Sequence, residues 1–263
     1  LVLPGKVLQF ARRAADLVGA AYYPLDEERE TARLVFIPEQ GPRIVMDFAA
    51  MRGGSLEEDL RARDFTINAL ALDLRQPERL IDPLGGATDL AQKVIRPCSP
   101  LTFTADPIRI LRAVRQAVDF QFQITPEALQ LMRQAAPQLL RPSPERVRDE
   151  LYRILGGRGP AAALRILDRL EILPVVFPEL AALKGVEQSP PHIFDVWEHT
   201  LNVISRLEAV LAVLHSRYDP DQASSLVLGL AVLKLGRYRA QITQHLETRI
   251  NVDRALRPTL FLA

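Results

Sequence analysis

The sequence predicts an α+β chain, with a small mixed sheet and helices first and helices alone after it. Three observations carry this. The runs Arg33 to Ile37 (RLVFI) and Arg43 to Ala49 (RIVMDFA) are β-rich and flank PEQGP, which marks a turn. An apolar stripe at helical spacing precedes them. From about Asp106 onward the apolar residues recur at helical spacing, and no strand is expected.

The 263 residues are 48% hydrophobic and 25% charged, an ordinary globular composition long enough for two or three small domains. A net charge of +1 excludes a strong global field, so any nucleic-acid contact rests on local patches. Four of the 33 basic residues are lysine, and the rest are arginine. That bias suits forked contacts to phosphate and base edges, although a GC-rich genome produces it equally well. Cys98 is the only cysteine, which excludes a disulfide within the chain and fits a reducing cytoplasm. No apolar run is long enough to span a bilayer and no signal peptide pattern is present, so no membrane partner is expected. The start at Leu1 and the end at Phe261, Leu262 and Ala263 within an apolar segment both read as cut ends.

Gly5 to Gly19 reads as a helix with Val7, Leu8, Phe10, Ala11, Ala14 and Leu17 near one stripe. Ala20 to Tyr23 reads as a short strand, and the two β-rich runs as a hairpin. Alternation puts Val45, Asp47 and Ala49 on one face of the second run and Ile44, Met46 and Phe48 on the other. Asp47 falls on the smaller-residue face, so exposure is its default, with a placed ligand the alternative.

Arg63 and Asp64 precede an expected helix through Thr66, Asn68, Leu70 and Leu72. Such a helix start beside Arg63 suits an anion, while the plainer reading makes Asp64 a cap. Asp82-Pro83 and Gly85-Gly86 mark a tight turn, with Asp89 bracing the next segment.

Asp106 to Arg115 reads DPIRILRAVR. On one helix, at about 100° per residue, Ile110, Leu111, Val114, Ala117 and Val118 share a side. Asp106, Arg109, Arg112 and Arg115 sweep the other, with Ile108 an apolar intruder. Asp106 before Pro107 suits an N-cap, and solvated arginines are the plain reading. A carboxylate followed by three guanidiniums also suits a nucleobase edge and phosphates. Further helices are expected from Thr125 to Ala135, from Ser143 to Gly156-Gly157, over Ala161 to Leu170 and Pro178 to Leu183, and from about Asp195 to Leu214. His199 and Glu198 near the start of the last are candidate metal ligands, yet no HExxH or Cys/His cluster accompanies them.

RDFTINALALD (Arg63–Asp73), IDPLGGATDLAQKVIR (Ile81–Arg96) and DPIRILRAVR, in this order, resemble the class II tRNA nucleotidyltransferase and bacterial poly(A) polymerase family. SPERVRDEL (Ser143–Leu151) looks like that family's next helix motif, and the resemblance covers roughly residues 1 to 185. It implies a DNA-polymerase-beta-like nucleotidyltransferase head at 1–98, a helical neck at 99–157 and a helical body at 158–263. It further implies template-independent addition of C and/or A to RNA 3′ ends, foremost tRNA, from CTP and ATP with Mg²⁺. Asp106 and Arg109 would then read the base edge, Arg112 and Arg115 would hold the triphosphate or order the neck, Arg63 would contact the nucleotide, and Asp64 its sugar or a neighbouring side chain.

Two departures matter. Ala105 stands where the family has Glu before the templating Asp. The family's Gly-Gly-x-x-Arg-Asp loop and Asp-x-Asp metal pair do not occur, so the main Mg²⁺ ligands are expected before Leu1, with Asp47 an additional strand carboxylate. HIFDVWEHTL (His192–Leu201) resembles the opening of an HD-type phosphohydrolase domain with His199 its first metal ligand, and the matching His-Asp pair is expected beyond Ala263. The chain alone is thus expected to be inactive. A binding protein without transferase activity, or a hydrolase of HD type, are the alternatives.

Overall fold

A computed structural model describes residues 1–218, 225–251 and 254–261. Leu262 and Ala263, part of the expected C-terminal cut end, lie outside the described residues. The chain divides into two compact units, Leu1–Arg63 with Ala69–Leu84, and Asp64–Asn68 with Gly85–Ala263.

The first unit runs β1 (Val2–Leu3), α1 (Val7–Val18), β2 (Ala21–Asp26), β3 (Thr31–Phe36), β4 (Ile44–Ala50), α2 (Leu56–Arg61), β5 (Ala71–Asp73) and β6 (Gln76–Ile81). Its sheet has the order β1-β4-β3-β2, with β1 parallel to β4 and the other pairs antiparallel. The sheet is therefore mixed, as the sequence predicts. Val7, Ala11 and Ala15 recur every fourth residue, so α1 buries one stripe against Ala32, Leu34 and Phe48 of the sheet.

The second unit continues with α3 (Gly86–Ala91), β7 (Val94–Ile95), α4 (Thr102–Ala105), α5 (Arg109–Phe120), β8 (Gln123–Ile124), α6 (Pro126–Ala135), α7 (Pro144–Gly156), α8 (Pro160–Arg169), α9 (Leu173–Val176), α10 (Pro178–Ala181), α11 (Val196–Val213), α12 (Leu226–Leu235), α13 (Arg239–Glu247), β9 (Arg249–Asn251) and β10 (Arg254–Ala255). One apolar core joins Phe65, Ile95, Phe103, the inner face of α5 and residues of α6, α7, α8 and α11. Ile110, Leu111, Val114 and Ala117 of α5 are buried, each of the larger ones contributing about 1.5–3 kcal/mol. Among the described residues no helix is long and apolar enough to cross a membrane.

Three expectations are corrected. The helix through Thr66, Asn68, Leu70 and Leu72 is a single 3₁₀ turn at Thr66–Asn68, followed by the hairpin of β5 and β6. The short apolar run fits either period, and Asp73 decides it by accepting the Arg75 N–H at 2.9 Å, an Asx turn that closes the hairpin. No helix start is present there to hold an anion. Secondly, strands do follow Asp106: β8 pairs in parallel with β7, and β9 pairs with β10. Such short strands are too brief to show a period of two. Thirdly, the helix begins at Arg109, and Asp106 is not its side-chain cap. Asp106 is extended, at φ −145° and ψ 97°, because Pro107 disfavours the helical region for its predecessor. Ile108 therefore leaves the polar side and is buried. Ser143 likewise precedes α7 without a side-chain cap bond.

Candidate nucleotide-binding site

The polar side of α5 is built from four stations, and each meets a different partner. Asp64 lies before the 3₁₀ turn and is buried. Its Oδ2 accepts from Arg112 Nε at 2.9 Å and Nη2 at 2.6 Å. Its Oδ1 accepts from the Phe65 N–H at 2.9 Å and Asn68 Nδ2 at 3.1 Å. Burial raises the carboxyl pKa, but the Arg112 charge and these hydrogen bonds outweigh it and hold Asp64 below the usual carboxylate range. Two bonds on each oxygen fill the acceptor sites of a carboxylate. Asn68 Nδ2 also reaches Gln116 Oε1 of α5 at 3.2 Å, extending the network along the helix.

Arg115, one turn on, donates through Nε to Glu150 of α7, and its Nη1 lies 3.6 Å from Asp119 Oδ2. Glu150 is buried and also takes Arg153 at 3.2 Å. This cluster ties α5 to α7. Its edge is crowded: a Cβ at Gly157 would stand 2.3 Å from Asp119 Oδ1 and 3.2 Å from the Arg153 carbonyl. A side chain there would have to push the Asp119 carboxylate aside.

Asp106 and Arg109 stand at the start of α5, where the helix is not yet buried on all sides. The Asp106 side chain is 29% exposed, and its Oδ2 accepts from Arg146 Nη2 of α7 at 2.8 Å. The Arg109 N–H donates to the Asp106 carbonyl at 3.1 Å, which keeps the two residues adjacent across the turn. The Arg109 guanidinium lies 3.5 Å from the Thr102 carbonyl of α4. The turn thus brings a partly exposed carboxylate and a partly exposed arginine, an acceptor and a donor side chain, within three residues of each other.

The remaining candidates lie elsewhere. In the first unit Arg63 donates to Asp59 Oδ2 through Nε at 3.2 Å and Nη2 at 2.9 Å. Asp59 is buried on α2, and its Oδ1 accepts the Arg52 N–H at 2.9 Å. Asp47 faces out of the sheet as alternation predicts. It stands directly opposite Arg33, whose Nε and Nη2 reach its two oxygens at 2.6 and 2.9 Å. That hydrogen-bonded cation holds the Asp47 carboxyl below its usual range. A magnesium pair needs several carboxylate oxygens at one point. Asp47 has both oxygens on Arg33, so it would serve as an additional carboxylate of such a site only by releasing that guanidinium. His199, in the first turn of α11, lies edge-on to His192 with ring centroids 5.3 Å apart. Its neighbour Glu198 has both oxygens 2.9 Å from Arg165. Among the described residues no group of three or more His, Cys, Asp or Glu is placed to hold a metal ion.

Sequence reasoning missed Asp59, Arg146 and Glu150. Asp59 carried a signal, standing four residues before Arg63, a spacing at which opposite charges pair on a helix. Arg146 and Glu150 sit in SPERVRDEL, but nothing local says which partner each takes across the fold.

Comparison with known proteins adds to this geometry. Residues 22–96 match the family described as the poly A polymerase head domain, and residues 121–184 match the probable RNA and SrmB-binding site of polymerase A. The CC-adding tRNA nucleotidyltransferase of Geobacter sulfurreducens is 49% identical over 144 residues, covering 55% of this chain and 33% of that protein. The A-adding tRNA nucleotidyltransferase of Deinococcus radiodurans is 40% identical over 202 residues, covering 75% of this chain and 45% of that protein. The chain thus spans less than half the length of either relative. The structure of the Thermotoga maritima CCA-adding enzyme complexed with tRNA superposes with a TM-score of 0.61 at 26% identity, covering 94% of this chain and 60% of that one. With the head and RNA-binding matches in the order that the sequence motifs predict, the chain belongs to the class II tRNA nucleotidyltransferase and bacterial poly(A) polymerase family.

Proposed function

We propose that this chain carries the nucleobase-reading part of an enzyme that adds C, A or both to the 3′ ends of RNA, foremost tRNA, from CTP and ATP. The observation that carries the reading is the half-exposed Asp106 held next to Arg109 at the start of α5. Cytosine and adenine each present an exocyclic amine beside a ring-nitrogen acceptor on the pairing edge. A carboxylate accepts from the amine, and a guanidinium donates to the ring nitrogen. Uracil puts a carbonyl oxygen where the amine would be, and that oxygen repels the carboxylate. Relatives named for CC addition and for A addition support both nucleotides as substrates and leave the choice between them open.

Within this reading Asp64, Arg112 and Arg115 order the neck, since each is engaged in a buried or half-buried ion pair. Arg63, paired with the buried Asp59, is read as a further contact of the nucleotide. Mg²⁺ would supply the charge that activates the RNA 3′-hydroxyl and stabilises leaving pyrophosphate. The described residues hold no set of ligands for it. A second reading for the chain by itself is that it binds and selects nucleotide without transferring it.

Nucleotide affinity tests the proposal. The chain is expected to bind CTP and ATP more tightly than UTP and GTP. Arg109→Ala is expected to weaken CTP and ATP by about 1–3 kcal/mol, the scale of one good bidentate base contact. Unchanged CTP and ATP affinity in that variant would contradict the base-reading role.

A further inference from the structure

Base reading by Asp106 and Arg109 leaves Arg146 without a role. It stands in the first turn of α7, 40 positions after Asp106, and its Nη2 donates to Asp106 Oδ2 at 2.8 Å. The pair is poorly explained by stability. The Arg146 side chain is 47% exposed and that of Asp106 29%, and ion pairs this wet contribute little to folding. Holding a long arginine in one rotamer also costs conformational entropy.

The pair makes better sense as an orienting contact. Asp106 sits in an extended turn between α4 and α5, outside the regular hydrogen-bonding of either helix. Its side chain does not cap α5, so the helix does not fix its rotamer. Arg146, reaching over from α7, does. One guanidinium nitrogen on Oδ2 leaves acceptor capacity on a carboxylate, which has about four lone-pair sites in all. The base amine therefore meets a carboxylate already turned toward one direction, and less rotational freedom is lost on binding.

We propose that Arg146 is a positioning residue for base selection, acting through Asp106 on the discrimination of C and A from U. The inference rests on the base-reading role of Asp106, and its test separates the two.

The affinities of CTP, ATP, UTP and inorganic tripolyphosphate are measured for the full chain and for Arg146→Ala, Arg146→Lys, Asp106→Ala and the Arg146→Ala/Asp106→Ala double variant. Arg146→Ala is expected to weaken CTP and ATP about three- to tenfold, the scale of one ordinary net hydrogen bond, because its effect is indirect. UTP, tripolyphosphate and the thermal midpoint are expected to stay put. Arg146→Lys restores most of the loss, because a lysine keeps the cation and one donor. The double variant matches Asp106→Ala, since a residue that acts only through Asp106 has no effect once it is gone. If Arg146→Ala keeps full CTP and ATP affinity while Asp106→Ala loses it, the positioning role alone is overturned. Tighter binding by Arg146→Ala overturns it too, by making Arg146 a competitor of the base. Equal weakening of all four ligands overturns it by making Arg146 a phosphate contact. A chain with no preference among bases, unaffected by Asp106→Ala, overturns the base reading and this inference together.

Discussion

Four donors converge on the two oxygens of Asp64, and the guanidinium of Arg112 is the strongest of them. The carboxylate is about nine-tenths buried, so its cost is carried by Arg112. Arg112→Ala would strand a buried negative charge. The expected cost is about 3 kcal/mol, at the lower end for a broken buried pair because Arg112 is itself one-third exposed. Denaturant unfolding of the variant checks it. The same pair gives a pH dependence. The folded carboxyl has a lowered pKa, so the folded state binds fewer protons than the unfolded chain in the acid range. The stabilisation is complete above the unfolded value of about 3.9 and is lost as the pH falls through the folded value. Stability of the native chain should therefore drop on acidification below about pH 4, and Arg112→Ala should flatten that drop. An equally steep fall in the variant would show that Asp64 does not titrate this way.

The helices α5 and α7 are joined through Arg115, Glu150 and Arg153, and this clamp is separable from the pair at the start of α5. Glu150→Ala is expected to lose about 3 kcal/mol of stability, since it leaves Arg115 half-buried without its main partner. The ratio of CTP to UTP affinity should survive in the variant that remains folded. A lost ratio with retained fold would move the clamp into the binding site. Most elements here were legible. The stripe of Val7, Ala11 and Ala15, the alternation around Asp47 and the spacing of Ile110, Leu111 and Val114 each report a burial pattern set by local geometry. The hairpin of β5 and β6 was not, because LALDL suits either period and a turn of a few atoms at Asp73 decides it. The pairing of β7 with β8 was hidden because each strand spans only two residues. At the candidate site, Asp106 and Arg109 were singled out from residue type and order. Their partner Arg146 was not, since a contact across 40 positions leaves no periodicity to read.

In the whole molecule, the first unit has its own small core under a mixed sheet and the second a larger helical core. The head and RNA-binding matches fall over both units in family order, and the pair proposed to read the base, Asp106 and Arg109, lies in the second. The decisive measurement is incorporation of labelled CTP, ATP, UTP and GTP into tRNA lacking its 3′ end, by the natural protein that carries this sequence and by its Asp106→Ala variant. Incorporation of C, A or both, with U and G refused, and loss of that selectivity in Asp106→Ala, is the expected result. Unselective incorporation, or selectivity that survives Asp106→Ala, would contradict the assignment of base reading to the start of α5.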